Sequence, residues 1–321
     1  MSALWHFVRT WTLPLAMIAG AAAYFIYVSI PWLDGTHRQV AEAIAVLQPL
    51  LIFAMLFLTF CRIDPAELRV KGWHLRLVLL QTALFAAATL LLLCFPDTRW
   101  RVLIESAMLC LLCPTATAAA VVTARLDGNA ASITAYTMLV NLVMAVAAPL
   151  LLPLAHPHAE LGFAAAFALI IRKVFPLLIC PLVAALAMRR WLPRLHARCA
   201  AARDAAFYLW AVSLSLAIAV TTKAIVHEQV HVGYQIGIAL VSLGCCLAQF
   251  LLGKRIGGRA GERIEGGQAL GQKNTVFIIW MGYTFLSPIT ALAGGFYSVW
   301  HNVVNSYQLY KKERRASEPQ A

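Results

Sequence analysis

The sequence predicts an all-α membrane protein: ten transmembrane helices arranged as two inverted five-helix repeats. Three observations predict it. Of 321 residues, 61% are hydrophobic and only 12% charged, with a mean hydropathy of +0.75, whereas a soluble domain is about half apolar and about a quarter charged. The charges come in clusters separated by long stretches without any. Two of the apolar stretches, at matching places in the two halves, are broken by polar residues. The composition excludes an ordinary soluble enzyme, a disordered chain, a collagen-like chain and a disulfide scaffold.

About 20 apolar residues cross the hydrocarbon core as a helix. Residues 10–33, 77–96, 106–124, 130–155, 205–222 and 232–253 lack Asp, Glu, Lys and Arg, and 43–61 is a further such window after Glu42. The first window follows Arg9 and holds the small residues Ala19–Ala23, in the manner of a signal peptide. It is long for one, and its removal leaves an unpaired half, so it reads as the first span. Arg172 and Lys173 interrupt the stretch 161–188, which reads as an amphipathic lead-in over 161–171 and a sixth span over 172–190. Beyond Glu265 the only Asp, Glu, Lys or Arg before Lys311 is Lys273, and Pro288 divides the stretch into a ninth span at about 263–286 and a tenth at about 289–310. Residues 1–155 then form the first repeat, 156–310 the second, and 311–321 a basic, solvated tail.

The basic residues orient the chain. One side holds Arg9, the 62–76 loop, Arg125, the 189–203 and 254–263 loops and the tail, with 19 Lys and Arg; the other holds six, Arg38, Arg99, Arg101, Arg172, Lys173 and Lys223. The positive-inside rule places both termini in the cytoplasm and the protein in the cell (inner) membrane. Basic flanks against anionic lipid account for the net charge of +12, so no nucleic-acid partner is called for, and nothing in the pattern requires an oligomer. Of the eight cysteines, Cys110 and Cys113 form a C-x-x-C without a second pair or a histidine at ligand spacing, and the cysteines read as buried small hydrophobes. His156 and His158 flank Pro157 in an external loop and bind metal only with help from elsewhere. No cofactor is expected.

Five spans per half reverse the second half in the membrane. The fourth span is broken by Cys113-Pro114-Thr115-Ala116-Thr117, and the ninth reads Glu265-Gly266-Gly267-Gln268-Ala269-Leu270-Gly271-Gln272-Lys273-Asn274-Thr275. Pro114 and Lys273 lie 159 residues apart, almost half the chain. Backbone that leaves the helix at membrane depth must be satisfied by protein, water or ligand, and interrupted segments at matching positions of two inverted halves point to a transporter's binding site. The substrate-binding candidates are Thr115, Thr117, Lys273, Asn274 and Thr275.

At these residues the chain resembles the bile acid:sodium symporter family. The Cys113-Pro114 turn, Thr117-Ala118 and Gly128 resemble its fourth-span signature, and Gly271 with Asn274 its ninth-span signature. Ser287-Pro288 followed by Ser298-Val299-Trp300-His301-Asn302 is the most specific match. The resemblance implies a panel of spans 1, 2, 6 and 7 and a core of spans 3–5 and 8–10, in which two discontinuous helices cross. It also implies alternating access and an organic-anion substrate, such as a bile acid, a steroid sulfate or a smaller carboxylate. Gln81 and Thr137 fit positions near the family's ions, alongside Gln272, Lys273 and Asn274. The chain departs from the pattern where sodium would bind: Ala269 stands in place of a glutamate, Ala119-Ala120 in place of Ser-Asn, and Lys273 in place of a glutamine. Sodium needs several hard oxygen ligands and charge balance, so classical sodium coupling is not expected.

A lysine in mid-membrane costs a few kcal/mol or more. Lys273 lies eight residues past Glu265, roughly 12 Å along a helix, out of reach of a direct pair, and Glu105 is similarly remote. Three roles are open to it: a fixed cation in the vacated sodium site, held by half-helix carbonyls and by Gln272, Asn274 and Gln81; a counter-charge for a substrate carboxylate or sulfate; or a proton carrier. Rival readings are an arsenite or oxyanion exporter using Cys113, a non-transporting receptor, and an intramembrane enzyme. The last is disfavoured, because Asp34, Asp64, Asp97 and Asp127 lie in loops or at window edges and His74 and His301 have no evident partner by spacing.

Overall fold

The computed structural model describes residues 12–62, 68–156, 162–227 and 231–317. Arg9, Asp64, Pro157 and His158 lie outside them. The described residues are helical apart from turns, one 3-10 segment (Pro31–Thr36) and a single β-bridge. In chain order the helices are α1 (Thr12–Val28), α2 (His37–Cys61), α3 (Gly72–Cys94), α4 (Arg101–Leu112), α5 (Ala119–Arg125), α6 (Ala130–Ala155) and α7 (Phe163–Trp191). They continue with α8 (Pro193–Ala201), α9 (Arg203–His227), α10 (Val232–Gly258), α11 (Arg263–Gly271), α12 (Thr275–Phe285) and α13 (Pro288–Ser317).

Among the described residues, five segments are long and apolar enough to cross a membrane: Pro31–Cys61, Gly72–Cys94, Ala130–Ala155, Phe163–Trp191 and Val232–Gly258. Leu15–Val28, Tyr208–Lys223 and Thr275–Phe285 are shorter apolar helices. The chain thus has the character of a multi-pass, all-α membrane protein. α13 has the length of a span without the hydropathy, because Ser298, His301 and Asn305 recur along it at helical spacing, and all three are buried.

The described residues of Met1–Arg62 and Cys180–Val230 form one compact unit, and those of Ile63–Ile179 and His231–Ala321 another. In the first, α9 packs on α1 and α2. Ala16, Leu214 and Ile218 make a small core there, and the Ser215 hydroxyl donates to Ala16 O at 2.9 Å. In the second, α3, α4 and α6 pack together, α10 lies along α11 and α13, and α4 touches α3, α10 and α13.

Two sequence expectations are corrected. The stretch around Arg172 and Lys173 is one continuous helix, α7, and not a lead-in followed by a span. An apolar helix tolerates two cations at a turn that reaches the interface, and 17 residues to Arg189 is roughly 25 Å. The basic tail after Tyr310 is not among them: it continues α13 as a helix to Ser317 with Lys311, Arg314 and Arg315 exposed, and the Lys312 amine lies on Asp127 at 2.6 Å and on Arg125 O at 2.7 Å. Gly266 and Gly267 are not part of the ninth-span interruption: both are helical, in α11. Their role is close packing. A Cβ on Gly266 would collide with the backbone of Gly253 and Gly257, one turn apart on α10, so that only glycine lets the two helices lie this close.

Candidate functional site

The two interruptions meet. α4 stops at Leu112 and α5 begins at Ala119; α11 stops at Gly271 and α12 begins at Thr275. Thr115 and Lys273 pair as an antiparallel bridge, with Ala116 N donating to Gln272 O at 2.8 Å and Asn274 N to Pro114 O at 3.0 Å. Backbone exposed by breaking each helix is therefore satisfied by the other break, which is what a dry environment demands. Proline at 114 lacks an N–H and fits such a chain crossing. The Thr115 hydroxyl donates to Ala269 O at 2.6 Å, and the Cys113 thiol to Asn274 O at 2.9 Å.

The open helix ends are capped by side chains from neighbouring helices. Gln81 of α3 donates to Cys113 O at 2.9 Å and Leu112 O at 3.4 Å, while its own oxygen accepts from the Tyr136 hydroxyl. Gln249 of α10 donates to Cys110 O at 3.3 Å and to the Tyr297 hydroxyl at 3.1 Å, and Tyr297 donates to Gly271 O at 2.9 Å. Asn274 caps α12 by accepting from Phe277 N at 3.2 Å. Thr137 is bonded within α6, to Ile133 O at 2.9 Å. Gln249 and Tyr297 escaped the sequence reading. Their signal was a glutamine and a tyrosine inside apolar stretches without a charge or a break beside them.

Lys273 stands at the centre of this arrangement, 0% exposed. Its amine has no hydrogen-bond partner among the described residues. The cradle expected from Gln81, Gln272 and Asn274 is thus not formed: the Gln81 amide is turned to the end of α4, Asn274 caps α12, and the Gln272 oxygen is itself unpartnered. The titratable side chains close enough to feel the charge are the thiols of Cys113, Cys110 and Cys245, with no carboxylate among them. Two helix C-termini, at Leu112 and Gly271, lie within three residues of the bridge, so the negative ends of two half-helix dipoles converge there. Thr115, Gln272, Asn274 and Thr275 are buried with Lys273, and Thr117 is half-buried at the turn into α5.

Glu265 and Glu105 are committed elsewhere, at the two ends of α6. Glu265 accepts from Asn129 N at the N-terminal end, an approach that Gly128 leaves room for. Glu105 takes Arg101 and His156, each at 3.0 Å, at the C-terminal end, where Arg101 also donates to Ala155 O. A further knot lies before α11: Glu262 accepts from the Lys71 amine and the Trp73 indole, both at 2.6 Å. Burial pushes the Glu262 carboxyl up, but hydrogen bonds from Lys71, Trp73 and Ser132 outweigh it and hold the carboxyl below its ordinary value. His74 also has a partner, against the expectation from spacing, in the Ser132 hydroxyl at 3.2 Å. Its Nδ1 accepts from Lys71 N, so Nε2 carries the proton and does not act as a base toward that serine.

No protein-family model matches the chain, and no characterised protein matches it significantly in sequence. The resemblance to the bile acid:sodium symporters accordingly rests on the short motifs given above.

Proposed function

We propose that the chain is a secondary transporter that moves an organic anion, bile acid-like or a smaller carboxylate or sulfate, across the cell membrane by alternating access without obligatory sodium coupling. The reading includes ten spans in two inverted repeats, a panel and a core, and cytoplasmic termini. One observation carries it: the two broken helices meet at a β-bridge that holds an unpartnered, fully buried lysine. A soluble-type core would not keep such a group, since an uncompensated buried charge is destabilising by several kcal/mol. The two compact units agree with the panel and core for α1, α2 and α9 in one and α3–α6 and α10–α13 in the other, while α7 is divided at Cys180, its larger part falling with the second.

Sodium fits the crossing poorly. Among the described residues its side-chain oxygens, on Gln81, Thr115, Thr137 and Gln272, all belong to neutral groups, so no carboxylate balances an added charge. A fixed ammonium with no carboxylate beside it repels a second cation in a medium where charge is weakly screened. Lys273 supplies the positive charge that a bound ion would bring to the two helix C-termini, and it gives the site a preference for anions. A thermal-shift screen of the purified protein against bile acids, steroid sulfates and short carboxylates, with and without sodium, tests this. The expected result is stabilisation by at least one anion class that sodium does not enhance and that Lys273→Gln abolishes. Stabilisation that needs sodium, or that survives Lys273→Gln, contradicts the reading.

A further inference from the structure

A second site lies away from the crossing, where α10 turns into α11. Lys254, Arg255, Arg259 and Arg263 line a cleft of about 520 Å³ together with Leu251, Gly258 and Gly261. Among the described residues, its lining holds four cations and no carboxylate. The charges that act on Lys254 are Arg263 and Lys311, both positive. Nearby carboxylates are already engaged, Glu262 by Lys71 and Trp73, and Asp127 by Lys312. Lys254 is held in place, its stem lying over Gly267 and its amine 6.0 Å from the Phe250 ring centroid. Gly261, at φ +78°, makes the turn that brings Arg263 back toward Arg259.

What lies beside the cleft identifies its ligand. Ile236, Leu240, Leu247 and Leu251 recur along one face of α10 and are all exposed, Leu251 at 67%. One turn beyond Leu251 the same face carries Arg255. An apolar stripe the length of a hydrocarbon chain thus ends on a cluster of cations, the order in which a lipid presents acyl chain and phosphate. α10 is itself long and apolar enough to cross a membrane, so its exposed face lies against acyl chains and a phosphate held by the cations at its end is within reach of a lipid seated on that face. We infer that this cleft binds the phosphate of an anionic phospholipid, whose acyl chain lies along the exposed face of α10. The site is independent of the transport reading, since none of its residues belongs to the crossing.

Native mass spectrometry of the detergent-purified protein tests it, with phosphatidylglycerol and phosphatidylcholine as lipid probes and glycerol phosphate as the soluble competitor. Phosphatidylglycerol should bind with clear preference, and Arg255→Gln/Arg259→Gln/Arg263→Gln should weaken it by about two orders of magnitude, given the attraction each cation near the surface contributes. The Arg189→Gln/Arg190→Gln control should keep the preference, and the single Arg255→Gln should weaken it in part if the triple variant does not fold. Equal binding of the two lipids overturns the inference, as does a preference that is undiminished in the triple variant or, where that does not fold, in the single one. Displacement of lipid by glycerol phosphate at similar concentration would make the ligand a soluble anion and overturn it equally.

Discussion

Two lysines of this protein receive opposite treatment. Lys71 sits at the start of α3, part-exposed, with its amine 2.6 Å from Glu262, whose other oxygen takes the Trp73 indole. Lys273 sits where two broken helices cross, fully buried, and among the described residues its amine has no hydrogen-bond partner and no carboxylate acts on it. The first arrangement is how a lysine is kept for structure: water remains near, the charge is neutralised, and the carboxylate is saturated. The second lacks each of these. The difference teaches that Lys273 is not held by an ion pair: the groups facing its charge are the C-terminal ends of two half-helices and not a carboxylate.

The sharpest way to break this comparison is the clamp that positions one of the two. A side chain at Gly266 meets the backbone of α10, and Gly266→Val should cost about 4 kcal/mol or more by forcing the helices apart. Denaturation in detergent would read this as loss of the folded protein; an unchanged midpoint would show that the close packing does not set the position of α11. Next in size is the paired substitution. Lys71→Met should lower stability by about 2 kcal/mol, since it leaves Glu262 short of its cation. Lys273→Met should leave stability unchanged or raise it by about 2 kcal/mol. A loss for Lys273→Met as large as that for Lys71→Met would place both lysines in structural roles.

The smaller effect is on pH. The Glu262 carboxyl is held below its ordinary value in the folded protein, so its contribution is present above the unfolded carboxyl range and disappears as pH falls through the lower, folded value. Stability should therefore drop on acidification below the ordinary carboxylate range, and Glu262→Gln should flatten that part of the profile while costing about 1 kcal/mol at neutral pH. A profile identical in wild type and variant would remove Glu262 from the account.

Much of this was legible in the sequence for reasons that can be named. Pro114 among hydroxyls and Lys273 in an apolar stretch violate membrane-helix chemistry strongly enough to mark both breaks without coordinates. What they do to each other was not legible, because pairing Thr115 with Lys273 depends on contacts across 158 residues of chain. Gly266 and Gly267 misled for a physical reason: glycine marks a break and a close approach alike, and only α10 beside them decides which. Gln81 was expected beside an ion or the Lys273 amine, and an amide near a helix end can serve either of these or the end itself. Here it caps Leu112 and Cys113. Arg172 and Lys173 were taken to begin a span, but helix continuity is set by backbone and not by charge.

The claim on which the rest depends is that a protein-borne cation at the crossing replaces a transported one. Flux of a labelled organic anion into proteoliposomes, compared in sodium and in choline buffer for the wild type and for Lys273→Gln, measures it directly. The account predicts equal wild-type flux in the two buffers and loss of flux in the variant under both. Wild-type flux that collapses in choline, or a variant that transports as well as the wild type, would contradict it.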